Sequence, residues 1–309
     1  MSDLVLVFAG SPGAAVPSLR ALSASRHEIA AVVTREDSPQ GRRRELSPTA
    51  VAAAAAELGL PTIKTNRLAG PATEAISAFR PDLGVIVAYG GLVREPLLSV
   101  PRLGWINLHF SLLPRWRGAA PVQRAIMAGD EITGASVFQL VPGLDEGDVF
   151  GTLTQSIGAH ETAGHLLESL SLSGAELLVR VVDAIADGTA RAEPQVGDVT
   201  LAPKLELADA HLDFAEHATT VANRLRGVTP EPGAFATVDD VRVKILDAVI
   251  ARDEARLEPG RLESRGGRLL IGTATDPLEI LTVHPAGKKP MKATDWWRGR
   301  PADAGMVAR

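Results

Sequence analysis

Uninterrupted apolar runs alternate with stretches of helical spacing over the first two thirds of the chain. Leu4–Phe8, Glu28–Val33, Leu83–Ala88 and Trp105–His109 are short and mostly apolar, as strands are when both faces of a sheet are covered. Between them, Ala14–Ala24 and the alanine-rich Pro48–Leu58 have helical spacing, with Pro48 suited to a first turn. Two further strand-like runs, Ala135–Val141 and Val149–Ser156, precede a long helical face. It is made by Leu166, Leu167, Leu170, Leu177, Leu178, Val181, Val182 and Ile185. Asp187-Gly188 should end that helix, because glycine fits the left-handed position just past a last turn. The alternation predicts an α/β domain over residues 1–190, with a doubly wound, mostly parallel sheet.

The pattern then changes. Residues 191–205 are polar, carry Pro194, Gly197 and Pro203, and read as a linker. One helix, about Ala215–Arg226, is followed by short strands at Arg242–Ile250, Gly260–Glu263, Arg268–Ile271 and Leu278–His284. Short strands at close spacing predict a small β-barrel domain over 206–309.

Composition narrows the function. A length of 309 residues suits two domains. There is no cysteine, which removes disulfides, thiolate metal sites and a cysteine nucleophile, and fits the reducing cytoplasm. The N-terminus lacks the basic region and cleavage pattern of a leader, and no run approaches the ~20 apolar residues of a membrane helix. The net charge of −5 counts mildly against a nucleic-acid partner. Its distribution is uneven, however. Lys288, Lys289, Lys292, Arg298 and Arg300 face a single acid, Asp295, between His284 and Arg300, enough for a phosphate-binding patch. Trp296 and Trp297 inside this segment either stack on bases or pack a helix end onto the barrel. Arg42, Arg43 and Arg44 lie in a long loop with Glu36 and Asp37; such a loop is either solvated surface or a contact for nucleic acid.

Several familiar chemistries are missing from the sequence. It holds no G-x-G dinucleotide fingerprint, no Walker loop and no G-x-S-x-G elbow. His160-Glu161 is followed by His165, one residue off the i, i+4 spacing that puts two zinc ligands on one helix face, so no metal site is expected.

What stands out is Asn107 and His109, two residues apart at the C-terminal end of a predicted strand. Alternation gives them one face, at the end where open parallel sheets bind ligands. Gly143-Leu144-Asp145-Glu146-Gly147 follows as an acidic turn. Taken singly, an Asn-x-His is as compatible with a structural role, and an Asp between glycines with a turn former. Together they suit transfer of an acyl group between nitrogens. The Asn amide and the His ring can stabilise an oxyanion, while His109 and Asp145 can move protons.

Asn107-Leu108-His109, Ser111-Leu112-Leu113-Pro114 and Asp145 together resemble the catalytic core of the 10-formyltetrahydrofolate-dependent formyltransferases. The continuation Arg115-Trp116-Arg117-Gly118-Ala119-Ala120-Pro121 is similar to the branch whose acceptor is a charged initiator tRNA. Phe8-Ala9-Gly10-Ser11-Pro12, Val87-Ala88-Tyr89-Gly90, Ala202-Pro203-Lys204, Leu212-Asp213-Phe214 and Gly287-Lys288-Lys289-Pro290-Met291 extend the resemblance along nearly the whole chain. The resemblance implies a Rossmann-like catalytic domain followed by an OB-like barrel. It implies transfer of the formyl group of 10-formyltetrahydrofolate to the α-amine of methionyl-initiator-tRNA, by a cytoplasmic, monomeric enzyme without metal. It implies that Asn107, His109 and Asp145 are catalytic and that Ser111, Leu112, Leu113 and Pro114 line the folate site. It also implies that Arg42, Arg43, Lys204, Lys288 and Lys289 contact tRNA. Phe214, where the family usually has Trp, and Glu231, where an aromatic is common, depart from the pattern in the second domain only. A sugar-nucleotide amine as acceptor, water as acceptor, and binding without catalysis are the rival readings.

Overall fold

The computed structural model of the chain describes residues 3–40, 45–300 and 306–309. Arg42 and Arg43 therefore lie outside the described residues. The chain forms two compact units. One comprises Met1–Pro121, Ile132–Ser156 and Leu167–Ala202; the other comprises Val122–Glu131, Ile157–Leu166 and Pro203–Arg309.

In chain order, the first strands are β1 (Val5–Gly10), β2 (Glu28–Thr34), β3 (Ser38–Gln40), β4 (Glu45–Ser47), β5 (Thr62–Lys64), β6 (Leu83–Val87) and β7 (Trp105–His109). β8 (Arg117–Gly118), β9 (Ile132–Gln139), β10 (Val149–Ser156) and β11 (Leu201–Ala202) follow. The helices are α1 (Val16–Ser23), α2 (Ala50–Glu57), α3 (Pro71–Ala78), α4 (Pro121–Ala128) and α5 (Ala163–Ala186). The main sheet has the order β10-β9-β7-β6-β1-β2-β5. β5, β2, β1, β6 and β7 run parallel, and β9 and β10 close one side antiparallel. Central position explains the apolar runs: Leu6, Val7, Phe8 and Ala9 of β1 and Leu83, Val85 and Val87 of β6 are wholly buried. β10, at the edge, alternates between exposed and half-buried residues.

The chain passes from β1 outward to β2 and β5, then returns to β6 on the other side of β1. The connections after β1 and β6 thus diverge, which opens a crevice at the carboxyl ends of these strands. α5 ends as its sequence predicts, with Gly188 in the left-handed region at φ 69° and Thr189 N–H returning to Ala184 O at 2.9 Å. β3, β4, β5 and α3 are too short or too polar to stand out in the sequence.

β6 and β7 meet where Gly84 faces the fully buried Trp105, whose Nε1–H donates to Leu97 O at 2.9 Å. A Cβ at position 84 would lie 2.2 Å from the indole ring. Gly84→Ala is expected to cost about 1–3 kcal/mol through overpacking. The check is the thermal midpoint followed by tryptophan fluorescence; an unchanged midpoint would mean that the indole can shift at no cost.

Residues 191–205 differ from the expected linker. Up to Ala202 they are bonded to the first unit: Glu193 and Val149 exchange backbone hydrogen bonds at 2.8 and 3.0 Å, and β11 pairs with β8 in parallel. The polar residues that read as linker here satisfy the backbone of neighbouring loops. The chain passes into the second unit for the last time at Pro203, after two earlier segments, Val122–Glu131 and Ile157–Leu166, that fall within the stretch expected to form the first domain alone.

The second unit contains α6 (Ala218–Gly227), β12 (Phe235–Val238), β13 (Val241–Ile250), β14 (Leu262–Arg265), β15 (Arg268–Ile271), β16 (Leu278–Pro285), β17 (Met291–Lys292) and α7 (Ala293–Arg298). The strands pair antiparallel in the order β12-β13-β16-β15-β14, with β17 on β16. The chain's last residues bridge the two outer strands. Arg309 exchanges backbone bonds with Thr237 at 2.6 and 2.9 Å, and Met306 O accepts from Leu262 N–H at 3.0 Å. The sheet thereby closes into the predicted barrel, which removes its free edges. Val238, Val243, Ile245, Leu269, Ile271 and Ile280 fill the interior. Trp296 is buried in this core and Trp297 packs against it, so packing is the role the tryptophans take. Phe214 is likewise buried in the core, whereas Glu231 is exposed.

Candidate active site

β7 presents Asn107 and His109 on one face, as alternation requires, and both line a cavity of about 480 Å³ at the carboxyl end of the sheet. Asp145 reaches the same cavity from the turn after β9. The three residues come from two segments separated by the whole of α4 and β9.

His109 is 6% exposed. Its Nε2 lies 2.8 Å from Trp116 O. A carbonyl only accepts, so Nε2 carries the hydrogen and donates it. That leaves Nδ1 as the nitrogen available to a substrate, 3.8 Å from Asp145 Oδ2. The ring packs edge-on against Phe138, with centroids 6.4 Å apart. Burial pushes the His109 pKa below the ordinary imidazole value of 6.5; the Asp145 charge and the Trp116 carbonyl oppose this without reversing it. At neutral pH the ring is uncharged and Nδ1 is a base.

Asp145 Oδ2 accepts from Gly118 N–H at 2.8 Å. Gly118 has φ 126° and comes so close to Ala202 that a Cβ would lie 2.7 Å from its carbonyl oxygen, so the position demands glycine. Trp116 and Asp145 themselves hold positive φ, 64° and 48°. Non-glycine residues in this region are held there by their surroundings. Here the surroundings are the strand pairing of β8 with β11 and the bonds made to residues 195–200.

A second cavity, of about 500 Å³, shares Ile86, Gly91, Leu92, Asn107, Leu144 and Asp145 with the first. Its walls are the segment after β6 (Gly91–Glu95 and Leu98) and the segment Leu140–Leu144. They are largely aliphatic, and Leu92 and Leu144 stand 65% and 52% exposed at the rim. Exposed leucines beside a cleft mark a surface that takes an apolar ligand. Arg35 braces the wall of the first cavity, donating to Tyr89 O at 3.3 Å and to Gly90 O.

Ser111, Leu112, Leu113 and Pro114 line neither cavity. Ser111 is fully buried and its Oγ donates to Arg115 O at 2.6 Å. Ser136 Oγ donates to Ser111 O at 2.7 Å and accepts from Leu113 N–H at 3.2 Å. The four residues thus clamp a turn onto β9 and set the height of the loop that carries the Trp116 carbonyl. The walls of the second cavity lie at 86–98 and 140–145. The one sequence signal for them is Tyr89-Gly90-Gly91 directly after a buried strand, at the topological switch. Lys204, Lys288 and Lys289 belong to the second unit and are exposed. Among the described residues, no group of three or more His, Asp or Glu could hold a metal ion, and no helix is long and apolar enough to cross a membrane.

Comparison with known proteins gives concordant results. The family model described as formyl transferase matches residues 4–182, and that for the formyl transferase C-terminal domain matches 204–301. A curated relative from Clavibacter michiganensis subsp. michiganensis, named methionyl-tRNA formyltransferase, is 62% identical over 95% of this chain and 96% of its own. One of the same name from Leifsonia xyli subsp. xyli is 60% identical over 97% and 98%. Among solved structures, an N-formyltransferase from Helicobacter canadensis with folinic acid and dTDP-3-aminofucose shares the fold, at TM-score 0.69 and 16% identity over 90% of this chain and 98% of that one.

Proposed function

The chain belongs to the formyl transferase family and is a formyl-transferring enzyme, and on that premise we propose that it moves the formyl group of 10-formyltetrahydrofolate to the α-amine of methionyl-initiator-tRNA. The observation that carries this reading is the convergence of Asn107, His109 and Asp145 where two cavities meet. One cavity, with largely aliphatic walls, suits the flat ring system of a folate; the other suits the arriving aminoacyl end. The names of the relatives support methionyl-tRNA as the acceptor.

The amine nitrogen attacks the formyl carbon, and the carbonyl electrons move to oxygen. The Asn107 amide donates to that oxyanion. His109 Nδ1 takes the proton released by the amine, and the Asp145 carboxylate faces the imidazolium so formed. Nδ1–H then lies beside both the oxyanion and the departing folate nitrogen. It gives its proton to that nitrogen as the old C–N bond breaks and the carbonyl reforms. Lys204, Lys288 and Lys289, with Arg42 and Arg43, complete the reading as contacts for tRNA phosphates. The enzyme acts as a monomer in the cytoplasm, where translation begins.

The test is formyl transfer from 10-formyltetrahydrofolate, with methionyl-initiator-tRNA, free methionine, uncharged tRNA and a uridine sugar-nucleotide amine as acceptors. Transfer to the charged tRNA alone is expected. Transfer to the sugar nucleotide, or formate release without acceptor, would overturn the reading.

The state of His109 fixes a pH dependence. Nδ1 accepts a proton only when the ring is neutral, and the α-amine attacks only when it is neutral, so kcat/KM should fall first as the amine protonates, at about 7.7–8.0, and more steeply as pH drops through the His109 value below 6.5. Stability has the same sign. Between the depressed folded pKa and 6.5 the unfolded chain binds more protons at His109 than the folded one, so stability rises with pH there and levels off above. Rates measured from about pH 5 to about pH 9 check this; a second, steeper limb that already begins above 6.5 would contradict the buried neutral ring.

A further inference from the structure

Gln195 lies in the stretch whose composition reads as linker, 50 residues from Asp145 in sequence. Its side chain is half-buried and its polar atoms are engaged at both ends. Nε2 donates to the backbone carbonyl of Asp145 at 2.7 Å and to that of Gly147 at 2.9 Å. Oε1 accepts from Nε and a terminal nitrogen of Arg117 at 3.1 and 2.7 Å. Arg117 is 14% exposed, and its other terminal nitrogen lies 3.8 Å from Glu146 Oε2, in the same acidic turn.

Only a primary amide meets this demand. One end must accept from a guanidinium and the other must donate to two carbonyls. The contacts are also placed where they matter. Asp145 has a positive φ, so its conformation is kept by bonds made to its backbone. Arg117 precedes Gly118, whose N–H holds the Asp145 carboxylate. The same stretch ties the other side of the site. Thr200 Oγ1 accepts from Trp116 N–H at 2.9 Å, and Thr200 O accepts from Arg117 N–H at 2.9 Å. Trp116 is the residue whose carbonyl fixes the His109 ring.

We infer that residues 193–202 form a strap along the loops that carry Trp116, Gly118 and Asp145, and that Gln195 is a positioning residue that sets Asp145 against His109 through the Arg117–Gln195–Asp145 hydrogen bonds. The inference rests on the proposed role of Asp145 in proton transfer. A displacement of about 1 Å at a reacting group is worth about 10²-fold in rate. Gln195 touches neither cavity, so its loss should act on turnover and not on binding.

Gln195→Glu tests the donor end. The shape is kept and Arg117 keeps its acceptor, but an oxygen now faces the two carbonyls. A fall in kcat of about 10- to 100-fold is expected, with KM for folate and for tRNA within about twofold of wild type. Gln195→Met, which removes both ends without adding charge, should behave alike and replaces the Glu variant if that fails to fold; circular dichroism and the thermal midpoint establish folding. A role exerted through Asp145 has a further signature. In the Asp145→Asn background the Gln195 substitution should add less than about twofold, because the group it positions is already gone. Wild-type kcat in a folded Gln195 variant, a loss confined to KM, or losses that multiply in the double variant would each overturn the inference. Asp145→Asn measured alone separates the two ideas: if that variant is fully active, the proposed role of Asp145 fails and the strap's catalytic meaning falls with it. If Asp145→Asn is impaired and the Gln195 variants are not, only the inference about Gln195 fails.

Discussion

His109→Asn is expected to lower kcat by about 10³-fold, the largest loss of any single change in the chain. Nδ1 is the one ring nitrogen free to serve the reaction, since Nε2–H is committed to the Trp116 carbonyl at 2.8 Å. An asparagine amide is not basic, so the proton released by the attacking amine loses its acceptor. The ring sits at the cavity wall, so KM for both substrates should change little. Removing the ring also leaves the Trp116 carbonyl short of its donor, worth about 1–3 kcal/mol for a buried acceptor. The thermal midpoint should therefore fall, and rates have to be compared at a temperature where the variant remains folded. Near-wild-type turnover in folded His109→Asn would remove this residue from the reaction.

Asp145→Asn should cost about 10²- to 10³-fold in kcat. The shape survives, because the amide oxygen can still accept from Gly118 N–H, as Oδ2 does at 2.8 Å. What disappears is the negative charge facing Nδ1 at 3.8 Å. The Asp145 charge raises the His109 pKa against the burial that lowers it. Without that charge, only the Trp116 carbonyl opposes burial, and the His109 limb of the rate profile should move to still lower pH while the maximum falls. The double variant His109→Asn/Asp145→Asn should be no slower than His109→Asn by more than a few fold, since the two groups act as a unit. A His109 limb that stays in place, or losses that multiply, would show that Asp145 acts independently of His109.

The residues of the site differed in how far the sequence revealed them. Asn107 and His109 are legible because strand alternation is a local rule, and the end of a buried strand at a topological switch is where ligands bind. Asp145 is legible as an acid between glycines, though nothing local ties it to His109; that link came through the resemblance. The resemblance implies Ser111–Pro114 as folate contacts, and the hydrogen bonds of this turn give it a structural task that adjacency does not reveal. These residues follow the catalytic strand directly, yet Ser111 and Leu113 bond to Ser136 and Arg115 and hold up a loop. The walls of the second cavity come from the segments after β6 and β9, whose aliphatic residues look like ordinary core in the sequence. The tautomer of His109 was hidden for a different reason: it depends on which carbonyl lies beside the ring, a contact seven residues away across a turn.

By itself the sequence determined the α/β unit with its parallel sheet, the barrel that follows, and the pairing of Asn107 with His109 on one face. Each of these is written in periodicity and in the apolar content of short windows, because burial acts on every residue of a strand or helix face. Tertiary structure alone decided that residues 193–202 are hydrogen-bonded to the first unit, that Gln195 reaches the Asp145 backbone, and that residues 306–309 close the barrel. Those features depend on hydrogen-bond partners that lie far apart in sequence, 84 positions for Trp116 and Thr200. A polar side chain or an extended backbone has the same local signature whether its partner is water or a distant loop, so only the fold could tell the two apart.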